Sequence, residues 1–163
     1  MRTSKYRGKD VKTGEWKYGH LINFNVNDKT AYLIITDDYA VVDKKLKPWE
    51  IAFFLNVDIF MVDPNTAGQF TGLTDKNGNE IYEDDIIHLK WEEDYDNDFG
   101  VVKWHSNGYF YVDDCFGKFP KGDRRSLGSF FETICRDYKK IEISINGNIH
   151  DNPELIRKKS LNH

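Results

Sequence analysis

Apolar and polar residues alternate through the first third of the chain. Trp16, Tyr18, His20, Ile22 and Phe24 fall at every second position and would share one face of a strand. Asn25 to Asp28 supply a turn, 31–36 (AYLIIT) the return strand, and Asp37-Asp38 its end, so a hairpin is expected. Residues 1–15 are polar, with Gly8 and Gly14 as breakers, and read as an irregular lead-in. Residues 45–48 are a break. Pro48 suits the first turn of a short helix over Trp49–Leu55, and Ile59 to Val62 reads as a strand ended by Asp63-Pro64. Residues 1–67 thus form an N-terminal section of hairpin and helix.

The second section, 68–163, opens with GQFTGLTDKNGNEIYEDD, in which Asn77-Gly78 is a type I′ turn signal between apolar segments. Ile81-Tyr82 and 85–91 follow as strands, and Glu92 to Asp98 as an acidic loop. Residues 100–105 (GVVKWH) and 109–112 form a hairpin across a second such signal, Asn107-Gly108. Residues 116–123 are a loop carrying Gly and Pro, and 127–135 fits either a short helix or a strand. Ile141, Ile143 and Ile145 alternate as an inward strand face. Asn152 is placed to cap a final short helix with Pro153 at its first position, and 157–163 is a basic tail. The pattern predicts a mainly β (α+β) protein whose second section is a small, partly closed β-barrel of the SH3-like kind with a short C-terminal helix.

Composition strengthens the β reading. Of 163 residues, 39% are hydrophobic, a modest share, but 15% are aromatic, with 11 Phe, 9 Tyr and 4 Trp. Rings bury about 150–250 Å² each and favour strands, so they can build a core where Leu is scarce. A formal net charge of −4 argues against a surface that attracts nucleic acid or anionic lipid everywhere, and leaves room for a local basic patch. The N-terminus lacks the apolar core of a signal peptide, and no run approaches the roughly 18 apolar residues of a membrane span. A soluble intracellular protein is expected.

Several blocks resemble one family. They are 68–73 (GQFTGL), 75–78 (DKNG), 81–86 (IYEDDI), 100–102 (GVV) with Trp104, the closing 147–155 (GNIHDNPEL), and the opening Trp16, Tyr18 and Gly19. Together they resemble the YopX family of small phage and prophage proteins. The resemblance implies a phage or prophage origin, the host bacterial cytoplasm, a β-rich fold and no assigned catalytic residue. One departure stands out: the family usually has Gly where this chain has Asp84. Glycine there suits positive φ, a conformation that Asp is among the few other residues to tolerate.

The candidate chemistry is thin. Cys115 and Cys135 make no CxxC and pair with no His spacing, so no zinc site is expected. Asp94, Asp96 and Asp98 begin a calcium-loop pattern, but Phe99 and His105 stand where an EF-hand needs Gly and Glu. Glu80, Glu83, Asp84, Asp85 and His88 form a second acidic cluster and the alternative of a metal-dependent enzyme at 80–98, yet Asp85 and His88 point to opposite strand faces. A better role for Asp84 or Asp85 is to accept backbone N–H bonds in the turn. Ser126, Ser129 and Ser144 lie in no nucleophile elbow, and the Gly-rich spots lack the Lys-Ser/Thr of a phosphate loop.

The expectation is therefore a non-enzymatic accessory protein, self-associating as a homo-oligomer, binding a host or phage protein, with no cofactor, metal or membrane. Gly72, Asn77, Gly78, Tyr82, Asp85, Gly100, Trp104, Gly108 and Pro153 are assigned to the scaffold. The alternative is a small nucleic-acid-binding barrel in which Tyr109 and Tyr111 stack bases beside Arg124, Arg125, Lys139 and Lys140.

Overall fold

A computed structural model describes residues 4–26, 29–36, 58–91, 97–116, 127–129 and 141–157. The protein is mainly β, with its described strands in two antiparallel sheets. The chain divides into two compact units, Met1–Gln69 and Phe70–His163.

In the first unit, β1 (Tyr6–Lys9), β2 (Trp16–Val26), β3 (Lys29–Thr36) and β4 (Ile59–Met61) lie in the order β4-β3-β2-β1. The expected hairpin is present and longer than the alternation alone marked, with β2 and β3 paired from Gly19↔Thr36 to Val26↔Lys29. The lead-in is not irregular: Tyr6–Lys9 is a strand, paired to β2 along its length and to Gly68 and Gln69 of β5 (Gly68–Thr74) on its other edge. It escapes a periodicity search because the residues it buries are Arg7 and Gly8. A Cβ on Gly8 would lie 3.0 Å from Val62, so the absent side chain lets that buried valine close over β1. Val62 also bridges Asp10, which returns the β4 end to the β1 end and curls the sheet. Its inner face carries Ile34 and Val62, both almost fully buried.

Asp10 and Asp63 set the local turns. Asp10 Oδ1 accepts from Lys12 N (3.1 Å) and Oδ2 from Thr13 Oγ1 (3.1 Å), fixing the β1–β2 loop. Asp63 caps a short 3-10 turn, Pro64–Thr66, by accepting from Asn65 N, and Thr66 Oγ1 in turn accepts from Lys9 N at 2.9 Å. The proposed helix over Trp49–Leu55 lies outside the described residues.

In the second unit, β5 pairs with β6 (Glu80–Tyr82), and a four-stranded sheet runs β10-β7-β8-β9 from β7 (Asp85–Trp91), β8 (Asn97–His105), β9 (Tyr109–Phe116) and β10 (Ile141–Asn148). β7 and β10 pair from Ile141↔Trp91 through Ile145↔Ile87, which brings Ile143 and Ile145 beside Leu89 and Ile87 as the alternation required. The core is Ile81, Ile87, Leu89, Val102, Val112, Leu127 and Ile143, with Phe110 packed against it. Residues 127–129 are helical, which favours the helical of the two readings for that stretch. Among the described residues this sheet is not a closed barrel, since β9 pairs only with β8 and β10 only with β7. One helical turn, α1, covers Glu154–Arg157.

Both Asn-Gly signals make reversals, though not two-residue ones. Gly108 N bonds His105 O across the loop 106–108, and Gly78 N bonds Asp75 O across 76–78. Each is a three-residue loop with its glycine at positive φ (90° and 83°), the next commonest hairpin connection.

Candidate functional site

The turn joining β6 to β7 is a polar centre of the second unit. Asp85 is 1% exposed, and its Oδ2 accepts Tyr82 N–H at 2.7 Å, the turn-stabilising role expected of the acidic step. Asp84 sits at φ 68°, the conformation expected where the resembling sequences carry glycine. Its N–H bonds Val102 O (2.8 Å) and its carbonyl accepts from Ile149 N (3.0 Å), so the turn is clasped between β8 and the segment after β10. Its carboxylate pairs with Lys103 Nζ and lies 3.1 Å from His150 Nε2.

The rest of the acidic cluster does not converge. Glu80 Oε2 accepts from Tyr82 Oη at 2.7 Å, and the His88 ring stacks on Phe99 at 4.6 Å. Among the described residues no three His, Cys, Asp or Glu side chains gather in a group able to hold a metal ion.

Two further polar knots hold loops. Asp75 is 6% exposed and accepts from Asn77 N (2.8 Å), Asn79 N (2.9 Å) and Ile145 N (3.2 Å). Burial pushes its carboxyl up, but the hydrogen bonds from Asn79, Ile145 and Asn77 together outweigh it and hold the group below the usual carboxylate range. Asn148 Oδ1 accepts from His150 N and Asp151 N, while Asn152 Oδ1 accepts from Asn148 N rather than capping α1. Pro153 stands just ahead of that helical turn. Asp75 and Asn148 were not singled out from the sequence. The signal for Asp75 was its place two residues before Asn77-Gly78, where an Asp turns the backbone on itself.

The proposed stacking rings divide by exposure. Tyr109 is half-buried and lies flat on His105 at 4.7 Å. Tyr111 is 8% exposed and meets His105 edge-on at 5.7 Å, so it offers no open platform. Trp104, placed in the scaffold, is 46% exposed and touches Phe110 edge-to-face at 4.8 Å. Gly72 and Gly100 are in β5 and β8. Arg124, Arg125, Lys139 and Lys140 lie outside the described residues, as does the centre of the acidic loop.

The first unit carries features that the sequence did not assign to function. The register aligns Ile22 with Leu33 and Met61, and His20 with Ile35 and Ile59, on the outer face of the curled sheet. Ile22, Phe24, Ile59 and Met61 are 44–57% exposed there. Beside this face an open groove of about 440 Å³ is lined by Lys5, Trp16, Lys17, Tyr18, Thr36, Asp58 and Phe60. Its rings are held by cations: Arg7 Cζ lies 4.7 Å and Lys9 Nζ 5.4 Å from the Trp16 ring centre, and Lys17 Nζ lies 4.4 Å from that of Phe60.

The YopX protein family matches residues 5–157, nearly the whole chain. The chain belongs to the YopX family. No curated protein matches it. Among solved structures, the crystal structure of protein EF1440 from Enterococcus faecalis is similar over 96% of this chain and 99% of that one, with a TM-score of 0.51 and 21% identity. At that identity the likeness speaks to a shared YopX fold alone. No helix among the described residues is long and apolar enough to cross a membrane.

Proposed function

We propose that this YopX protein is a phage- or prophage-encoded accessory factor of the host cytoplasm that works by binding, without catalysis of its own, and that it assembles with a second copy through the outer face of the first unit. A host or phage macromolecule would then be bound by that assembly. The observation that carries the reading is the continuity of Ile22, Phe24, Ile59 and Met61 on one sheet face at 44–57% exposure. Scattered apolar residues need no explanation, but a contiguous group on a sheet is characteristic of an interaction surface. Two copies related by a two-fold axis would cover the same patch on each other, the commonest route to a homo-oligomer.

Light scattering behind a sizing column tests this. A mass near twice 19.1 kDa is expected, and Ile22→Asp combined with Met61→Asp should return the monomer with unchanged far-UV circular dichroism. A monomeric wild type at tens of micromolar, or an oligomer indifferent to the double substitution, would remove this face from the reading.

A further inference from the structure

We propose that the groove of the first unit is a nucleotide-binding site, which takes either a free nucleotide or one residue of a single-stranded nucleic acid. The groove does not overlap the four apolar residues that carry the self-association reading, and it stands independently of them. Its volume, about 440 Å³, lies within the range typical of small-ligand sites.

Its lining combines three chemistries that a nucleotide needs together. Trp16 and Tyr18 supply rings against which a base can stack, and Phe60 carries Lys17 over its ring. The Trp16 ring is already fixed by Arg7 and Lys9, so ordering it costs little when a base arrives. Among the described lining residues, Lys5 and Lys17 bring ammonium groups that can pair with a phosphate. Lys17 Nζ is held 2.8 Å from Glu15 Oε2, but the Glu15 side chain is 67% exposed, and an exposed pair of this kind yields readily to a stronger anion. Asp58 in turn is an acceptor for a base amino group or a ribose hydroxyl.

Thr36 adds a separate mark. Its Oγ1 is buried on the groove wall without a hydrogen-bond partner, a state that buried hydroxyls seldom keep. Rotation of the Thr36 side chain toward the groove would bring that hydroxyl to a polar ligand group, which would then supply the missing partner.

Other ligand classes fit less well. Among the described lining residues Asp58 is the one carboxylate, too few for a dedicated metal site. The ammonium groups and Asp58 make the lining too polar for an acyl chain.

The test is an equilibrium titration at low and physiological salt with fluorescent adenosine and thymidine monophosphates, with labelled single-stranded oligo-dT, and with inorganic phosphate as a control. Micromolar binding of a monophosphate supports the free ligand. Binding of oligo-dT, with monophosphates at least tenfold weaker, supports the strand. In either case Trp16→Ala should weaken binding about tenfold or more, and Lys17→Gln should lower its salt dependence. Trp104→Ala, an exposed ring of the other unit, should leave it unchanged. If Trp16→Ala fails to fold, Tyr18→Ala carries the same expectation, since Tyr18 is 43% exposed. No binding of any nucleotide below about 1 mM at low salt, equal binding of inorganic phosphate, or binding indifferent to both ring substitutions overturns the site. The Ile22 and Met61 variants separate the two readings, because they should change mass and leave nucleotide binding in place.

Discussion

Replacing Asp75 by Asn should destabilise the second unit by about 2–4 kcal/mol at neutral pH, and the deficit should shrink in acid. The carboxylate receives three backbone N–H bonds, from Asn77, Asn79 and Ile145. Hydrogen bonds to a charged group contribute about 1.5–3 kcal/mol each. Asn77 and Asn79 are exposed, so water can replace part of what they lose, and the sum is well under three full bonds. The amide of the variant keeps one acceptor oxygen and presents an NH₂ to donors that need an oxygen. The sign of the pH effect follows from the lowered pKa of the folded state, where burial raises it and the three hydrogen bonds more than offset the rise. The unfolded chain binds the proton more readily, so the stabilisation is complete above the ordinary carboxylate pKa of the unfolded chain and fades as pH falls through the lower, folded pKa. Urea unfolding of both proteins at pH 7 and pH 3, followed by circular dichroism, measures the difference. Faster amide exchange at Asn77, Asn79 and Ile145 in the variant should accompany it. A difference under about 0.5 kcal/mol at pH 7, or one that does not narrow at pH 3, would refute the reasoning.

Two further substitutions probe backbone demands. Asp84→Gly should change stability by no more than about 1 kcal/mol, since relief at φ 68° offsets the lost contacts to Lys103 and His150, whereas Asp84→Val should cost about 2–3 kcal/mol; thermal melts in which the valine variant matches wild type would contradict this. Gly19→Ala should cost about 2–4 kcal/mol, because a Cβ there would stand 2.0 Å from the carbonyl oxygen of Ile35 in the neighbouring strand, and a variant that melts with wild type would show that the β2–β3 ladder absorbs the clash.

What could be read in the sequence is what periodicity records. The faces of β2, β7 and β10 follow from alternating apolar positions, and both reversals follow from Asn-Gly. β1 is the instructive miss. A strand is ordinarily visible through the apolar residues it buries, and Tyr6–Lys9 buries an arginine and a glycine instead. Its place is decided by neighbours on both edges, which no local window contains. At Asn107-Gly108 the strand bounds read from the sequence, 100–105 and 109–112, leave the three-residue loop that is observed, and only the two-residue type I′ label differs. Asn-Gly marks where φ turns positive, but the closing pairs at Asp75 and His105 set the register one residue further back.

The same distinction bears on where rings and cations meet. Basic residues beside rings were sought in the later half, where Lys and Arg crowd the sequence near Tyr109 and Tyr111. Ring exposure depends on which sheet face is covered, and β9 turns Tyr111 away from solvent while Trp104 remains open. Among the described residues, the cations that meet rings, Arg7, Lys9 and Lys17, are separated from Trp16 and Phe60 by up to 43 positions and joined by strand pairing. Asp84 shows the converse. Its conformation was legible from one departure in a local pattern, but its partners Lys103 and His150 come from elements 19 and 66 residues away. At φ 68° this chain holds a backbone shape that glycine adopts freely, with a side chain that also clasps two other segments. Local chemistry thus dictates the turn, and tertiary contact decides what the turn is used for.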